Sequence, residues 1–148
     1  MNEIDAPKRD PRERHFRIPS PRPGLQLFLR HLPPAAPAKD QARAVLYVDG
    51  ATFPSALSIA HRFDGYSWRD ALCEAGLDVC GLDFHGFGFS DGCPEVVEPP
   101  QAHASLCRAP DASEQLEAAV RFTLAHRALP RLSIIAHSWG TIPAGPRI

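Results

Sequence analysis

Leu132-Ser133-Ile134-Ile135-Ala136-His137-Ser138-Trp139-Gly140-Thr141 is the stretch on which the fold turns. A short apolar run rich in β-branched residues leads into small-His-Ser-Trp-Gly, the pattern of a buried strand that bends sharply into a helix with one serine at the bend. Small residues two before and two after that serine have a steric reason, because the helix must cross close to the strand it leaves. The pattern here is Ala-x-Ser-x-Gly, so one of the two positions carries a methyl group.

Upstream, the chain reads as alternating strands and helices. Ala44-Val45-Leu46-Tyr47-Val48 is a continuous apolar run, the mark of a strand covered on both faces, and it ends in the small-residue loop Asp49-Gly50-Ala51-Thr52. Ser67 with Asp70 three positions on caps a helix whose apolar face is read as Trp68, Ala71, Leu72 and Ala75, and Gly76 stops it. Leu77 to Phe84 is the next strand, followed by the turn-rich His85 to Gly92 and a proline-containing loop from Cys93 to Pro110. Asp111 with Glu114 caps a second helix, with Leu116, Ala119, Val120, Thr123 and Leu124 on its apolar face, before the strand Leu132–Ala136. Strand, helix, strand, helix, strand implies right-handed crossovers and a mostly parallel sheet. In front of it, His15–Ile18 and Gly24–His31 read as an antiparallel hairpin of edge strands, separated by Pro19, Pro21 and Pro23. Residues 1–13 are polar and are expected to form a mobile tail, leaving 14–148 as one domain. Residues 33–40 are a connection.

Composition narrows the function classes. A formal net charge of -1, with acids interleaved among the arginines, argues against a nucleic-acid partner. No apolar run approaches the length of a membrane span, so no membrane partner is expected. Eight of the 16 prolines fall within residues 1–37, which marks the front of the chain as extended. Cys73, Cys80, Cys93 and Cys107 form no Cys-x-x-Cys pair and have no histidine at zinc-ligand spacing. They read as reduced thiols of a cytoplasmic protein, with a Cys93–Cys107 disulfide inside one loop as the alternative. No metal and no cofactor are expected. Asp83 and Ser90 read as residues that fasten the turn after their strand, and Tyr47 and Trp68 as core.

Three landmarks thus follow one another: Asp49-Gly50, Asp83-x-x-Gly-x-Gly-x-Ser-Asp, and Ala-His-Ser-Trp-Gly. Together they resemble the N-terminal half of an α/β-hydrolase-fold protein of the serine-nucleophile type, over residues 24–148. The resemblance implies a partial α/β-hydrolase fold that stops after the nucleophile turn. It implies that Ser138 is the nucleophile, and that the backbone N–H groups of Trp139 and Ala51 form the oxyanion hole. A serine here sets the chain apart from the haloalkane dehalogenase and epoxide hydrolase branches, which use aspartate. The implied chemistry is hydrolysis of a small-molecule ester, acyl or carbon–carbon substrate. Two departures stand out: many relatives carry His-Gly where this chain has Asp49-Gly50, and glycine is absent at position 136.

A third departure concerns the rest of the triad. In the resembling family the catalytic acid and histidine follow the nucleophile, and nothing after Ser138 in this sequence is Asp, Glu or His. His137 should point away from the base position, and His85 and His103 lie in loops whose counterparts are not catalytic. The expectation is therefore a truncated, inactive fragment of a serine hydrolase. The alternative is a non-catalytic remnant that acts by binding a partner chain. A nucleotide-binding α/β domain ranks third, because Gly86-Phe87-Gly88 lacks the third glycine of a dinucleotide loop. In the resembling fold the serine-bearing strand is central, so here it becomes an exposed apolar edge, from which marginal stability or self-association is expected.

Overall fold

The computed structural model describes residues 2–36 and 42–145. Its strands are β1 (Asn2–Glu3), β2 (Arg14–Pro19), β3 (Gln26–Leu32), β4 (Arg43–Val48), β5 (Leu77–Asp83) and β6 (Ser133–Ala136). Its helices are α1 (Trp68–Glu74), α2 (Ala109–Arg127) and the short α3 (Thr141–Ala144). The strands form a single sheet in the order β1-β2-β3-β5-β4-β6. β4 pairs in parallel with β5 on one side and β6 on the other, while β1, β2 and β3 join by antiparallel ladders, β3 against β5. Consequently β2, β4, β5 and β6 run in one direction and β1 and β3 in the other. The part of the 33–40 connection that spans 37–40 lies outside the described residues.

Alternation along β4 sends its side chains to two separate cores. Leu46 and Val48 join Phe16, Leu29, Leu82, Leu116 and Ala119 beneath α2. Tyr47 faces the other way, with Leu32, Ile59, Cys73 and Val79 beneath α1. A strand with apolar partners on both faces must be apolar throughout, which is why this segment shows no polar alternation. Pro130 follows the end of α2, which closes on Ala128 in the left-handed conformation, φ 51°. Among the described residues β6 pairs with β4 alone and forms one edge of the sheet.

Three expectations need correction. The segment 1–13 is no free tail: β1 pairs with β2, and Ala6, Asp10 and Glu13 are buried. Glu13 meets Arg30 and Arg69, all three almost wholly buried, with His15 Nε2 at 3.2 Å from the same carboxylate oxygen. Burial opposes ionisation of Glu13, but the His15 hydrogen bond and the two guanidiniums outweigh it and hold the carboxyl far below its ordinary value. Secondly, Ser67 and Asp70 do form a capping box for α1, but the buried side of that helix carries Arg69, Asp70 and Cys73, while Trp68 is 54% exposed. The arginine is drawn in by Glu13, a partner distant in sequence, and Trp68 makes an edge contact with Tyr47 from outside. Thirdly, α2 begins at Ala109, with Arg108 rather than Asp111 at its cap. Asp111 instead accepts a 3.3 Å bond from the Arg108 N–H, and Pro110 suits the first turn because its missing N–H is not needed there.

Candidate active site

The chain reaches the site through β6. Its ladder with β4 extends one residue further, as the His137 N–H donates to Val48 O at 3.0 Å. Ser138 then takes φ +53°, a left-handed conformation that is uncommon for a residue with a side chain. The turn closes on itself: Gly140 N–H donates to His137 O at 2.9 Å, and Thr141 Oγ1 donates to Ser138 O at 2.8 Å. A tight turn of this kind lifts the serine side chain off the end of the sheet, and Ser138 is exposed.

The two small positions around the serine differ in stringency. A Cβ at Gly140 would lie 2.3 Å from Asp49 O and 2.9 Å from Val48 O, both rigid backbone atoms. No side chain fits there. Position 136 is more forgiving, and the Ala136 methyl packs against the core beneath α2. Trp139 seals the inner side of the turn with an edge contact on Phe84, at the end of β5, with ring centroids 6.0 Å apart. From α2, the Ser113 hydroxyl donates to Pro143 O at 3.0 Å and fastens the short α3 that follows.

The loop after β4 reaches the same point. A Cβ at Gly50 would lie 3.2 Å from Ser138 Cβ and 3.6 Å from its Oγ, so this loop runs directly alongside the serine. Ala51 is the next residue and is exposed. Asp49, whose charge could oppose an oxyanion, is buried, and Ser58 Oγ donates to its Oδ2 at 2.7 Å. Burial pushes the Asp49 carboxyl up to about 7; the Ser58 hydrogen bond works against the rise and the neighbouring charge of Asp83 adds to it. Near neutrality much of this group is uncharged.

Asp83 and Ser90 hold the turn after β5, as read from the sequence. Asp83 accepts from the N–H groups of Ser55 at 2.7 Å and Phe89 at 3.3 Å, and Ser90 Oγ accepts from Phe28 N–H at 2.7 Å. Sequence reasoning did not find Ser55 and Ser58, which tie the loop after β4 to Asp83 and Asp49. Two serines in a loop of small residues carry no signal of their own; only the carboxylates they meet give them a role. All four cysteines are free thiols.

The described residues bring Ser138, Trp139 and the Gly50–Ala51 loop together, and they place no ring nitrogen of His137, His85 or His103 in hydrogen-bond contact with Ser138. A serine on a strained strand-to-helix turn at the carboxyl end of parallel strands, with helices on both faces, defines the α/β-hydrolase fold.

Solved structures bear out that architecture. The chain is similar to an α/β serine hydrolase homologue from Coxiella burnetii, with 18% identity and a TM-score of 0.59 over 89% of this chain and 55% of that one. It is similar to Est1E from Butyrivibrio proteoclasticus, solved with ferulic acid, with 16% identity and a TM-score of 0.64 over 87% of this chain and 45% of that one. It is also similar to the haloalkane dehalogenase DatA from Agrobacterium tumefaciens, with 13% identity and a TM-score of 0.53 over 89% and 35%. The chain spans about half or less of the length of these structures, and its likeness to proteins named for different reactions is a likeness of fold. No family model and no curated protein matches the sequence.

Proposed function

We propose that Ser138 is the nucleophile of a serine hydrolase site acting on a small-molecule ester, acyl or carbon–carbon substrate. The backbone N–H groups of Trp139 and Ala51 would receive the negative charge that develops on the attacked carbonyl oxygen. The observation that carries this reading is the φ of +53° at Ser138, stored at the end of β6 and braced by Gly140 against the backbone of β4. Such a strained serine is costly as a mere connection, and it exposes the hydroxyl where two loops can supply donors.

A serine nucleophile needs a base and an acid that orients it, and none of the residues after Ser138 in this sequence is Asp, Glu or His. On this reading the residues present here leave the Ser138 triad incomplete. A cytoplasmic setting accords with four free thiols. Fluorophosphonate labelling with peptide mapping tests the assignment. The chain alone should show no adduct on the peptide carrying Ser138, whereas the same segment joined to strands that contribute an Asp and a His should be labelled there, and Ser138→Ala should abolish the label. Failure of the extended protein to label at Ser138 would refute the assignment.

A second reading, a non-catalytic chain that binds a partner, is favoured by one feature, the outer edge of β6, which pairs with no strand among the described residues. It predicts that the strained turn contributes nothing to binding, so Ser138→Ala would leave capture of the partner unchanged.

A further inference from the structure

The turn after β5 holds a serine–histidine pair that the Ser138 site does not use. His85 is buried, with 3% of its surface exposed. Its Nδ1 lies 2.8 Å from the backbone oxygen of Asp91, and its Nε2 lies 2.7 Å from Ser20 Oγ. A carbonyl oxygen can only accept, so in the neutral imidazole Nδ1 carries the proton and Nε2 is left as an acceptor. The Ser20 hydroxyl must then donate to Nε2. Its lone pairs remain available, one of them receiving the Arg22 N–H at 3.0 Å. The His85 backbone is fixed in turn, its N–H donating to Gln115 Oε1 of α2 at 2.9 Å. Nucleophile, base and orienting acceptor therefore stand in the relation that activates a serine, with a main-chain carbonyl as the third member.

The pair opens onto space. A cavity of about 350 Å³ is lined by Ser20, Arg22, His85, Cys93, Cys107 and Gln115, among others. It is large enough for a small acyl group, and its cation, Arg22, is tethered to Glu95.

We infer that Ser20 and His85 form a second nucleophilic site, facing this cavity and taking small acyl esters. Ser20 Oγ bonds to the ester carbonyl carbon as its proton passes to His85 Nε2. The tetrahedral adduct collapses with cleavage of the bond to the alcohol oxygen, and the alcohol leaves with that proton. Water then attacks the acyl-serine, giving a proton to His85; the acid departs and Ser20 recovers its hydrogen. Ser20 is the nucleophile and His85 the base, while the Asp91 carbonyl positions the ring.

A fluorophosphonate probe reads the first half of this cycle, forming an oxygen–phosphorus bond as fluoride leaves and His85 takes the proton. On the native chain, mass spectrometry should place an adduct on the peptide containing Ser20. Its formation should be slowed roughly a hundredfold or more in His85→Gln. An unmodified Ser20 in the native chain would overturn the inference, as would labelling of Ser20 at the same rate in urea-unfolded protein. The wild-type map decides even if His85→Gln does not fold, and because the two serines lie on different peptides, failure at Ser20 is distinct from failure at Ser138.

Discussion

At the scale of single residues, two atoms' worth of space and one proton govern the candidate site. Gly140 is the tighter constraint. A methyl group 2.3 Å from Asp49 O cannot be relieved by a rotamer change, so β4 and the serine turn would have to separate. Gly140→Ala should lower stability by about 3 kcal/mol, the upper part of the usual range for overpacking, measured by urea denaturation. Ala136→Gly, by contrast, removes a methyl packed on the core and should cost no more than about 1 kcal/mol. Asp49 governs the pH response. Its folded value of about 7 lies above that of an unfolded aspartate, so between roughly pH 4 and pH 7 the folded chain holds a proton that the unfolded chain has released. Stability from this group is therefore complete at low pH and is lost as pH rises through that window, at up to about 1.4 kcal/mol per unit. Asp49→Asn keeps an oxygen for the Ser58 hydroxyl and abolishes the titration. Its stability should exceed that of the wild type at pH 8 and match it near pH 4; parallel pH profiles would show that Asp49 ionises as freely in the folded chain as in the unfolded one.

At the scale of elements, the contrast is between what neighbours in sequence dictate and what distant partners impose. The apolar run of β4, the capping residues of α1, the proline after α2 and the strand-to-helix turn at Ser138 are all local patterns, and all could be read in the sequence. The burial of Glu13, Arg30 and Arg69 could not. Each is an ordinary surface residue by type, and it is buried only because the other two meet it from β3, α1 and the segment before β2. The same holds for Ser55 and Ser58 in the site, and for Trp68, which yields its expected place in the core to an arginine. A buried charge cluster has a measurable signature. Glu13→Gln leaves two buried guanidiniums without their counter-charge and should cost about 3–5 kcal/mol. Glu3→Gln breaks the Glu3–Arg14 pair, whose side chains are 44% and 45% exposed, and should cost less than about 1 kcal/mol. Equal effects of the two substitutions in urea melts would mean that the segment before β2 is not fastened by Glu13.

At the scale of the whole molecule, the strand that presents the serine is also the strand that ends the sheet. β6 is bonded to β4 along one side, through the register from Val45–Ser133 to Val48–Ala136. Its other side carries backbone groups that pair with no strand among the described residues, between uncharged side chains. Natural edges are protected by charge, proline or a covering element, and Ser133-Ile134-Ile135-Ala136 has none of these within it. The partly buried Ile134 and Ile135 extend the two cores to this margin, one on each face, so a second β6 could continue both the ladder and the apolar layers. The chain should accordingly self-associate at micromolar concentrations, with a mass that rises with concentration in sedimentation velocity. Ser133→Lys puts a charge at the exposed start of β6 without touching either core, and it should shift the distribution toward monomer while leaving the urea midpoint of the folded chain nearly unchanged. A wild-type chain that stays monomeric at high micromolar concentration would show that this edge does not recruit another strand.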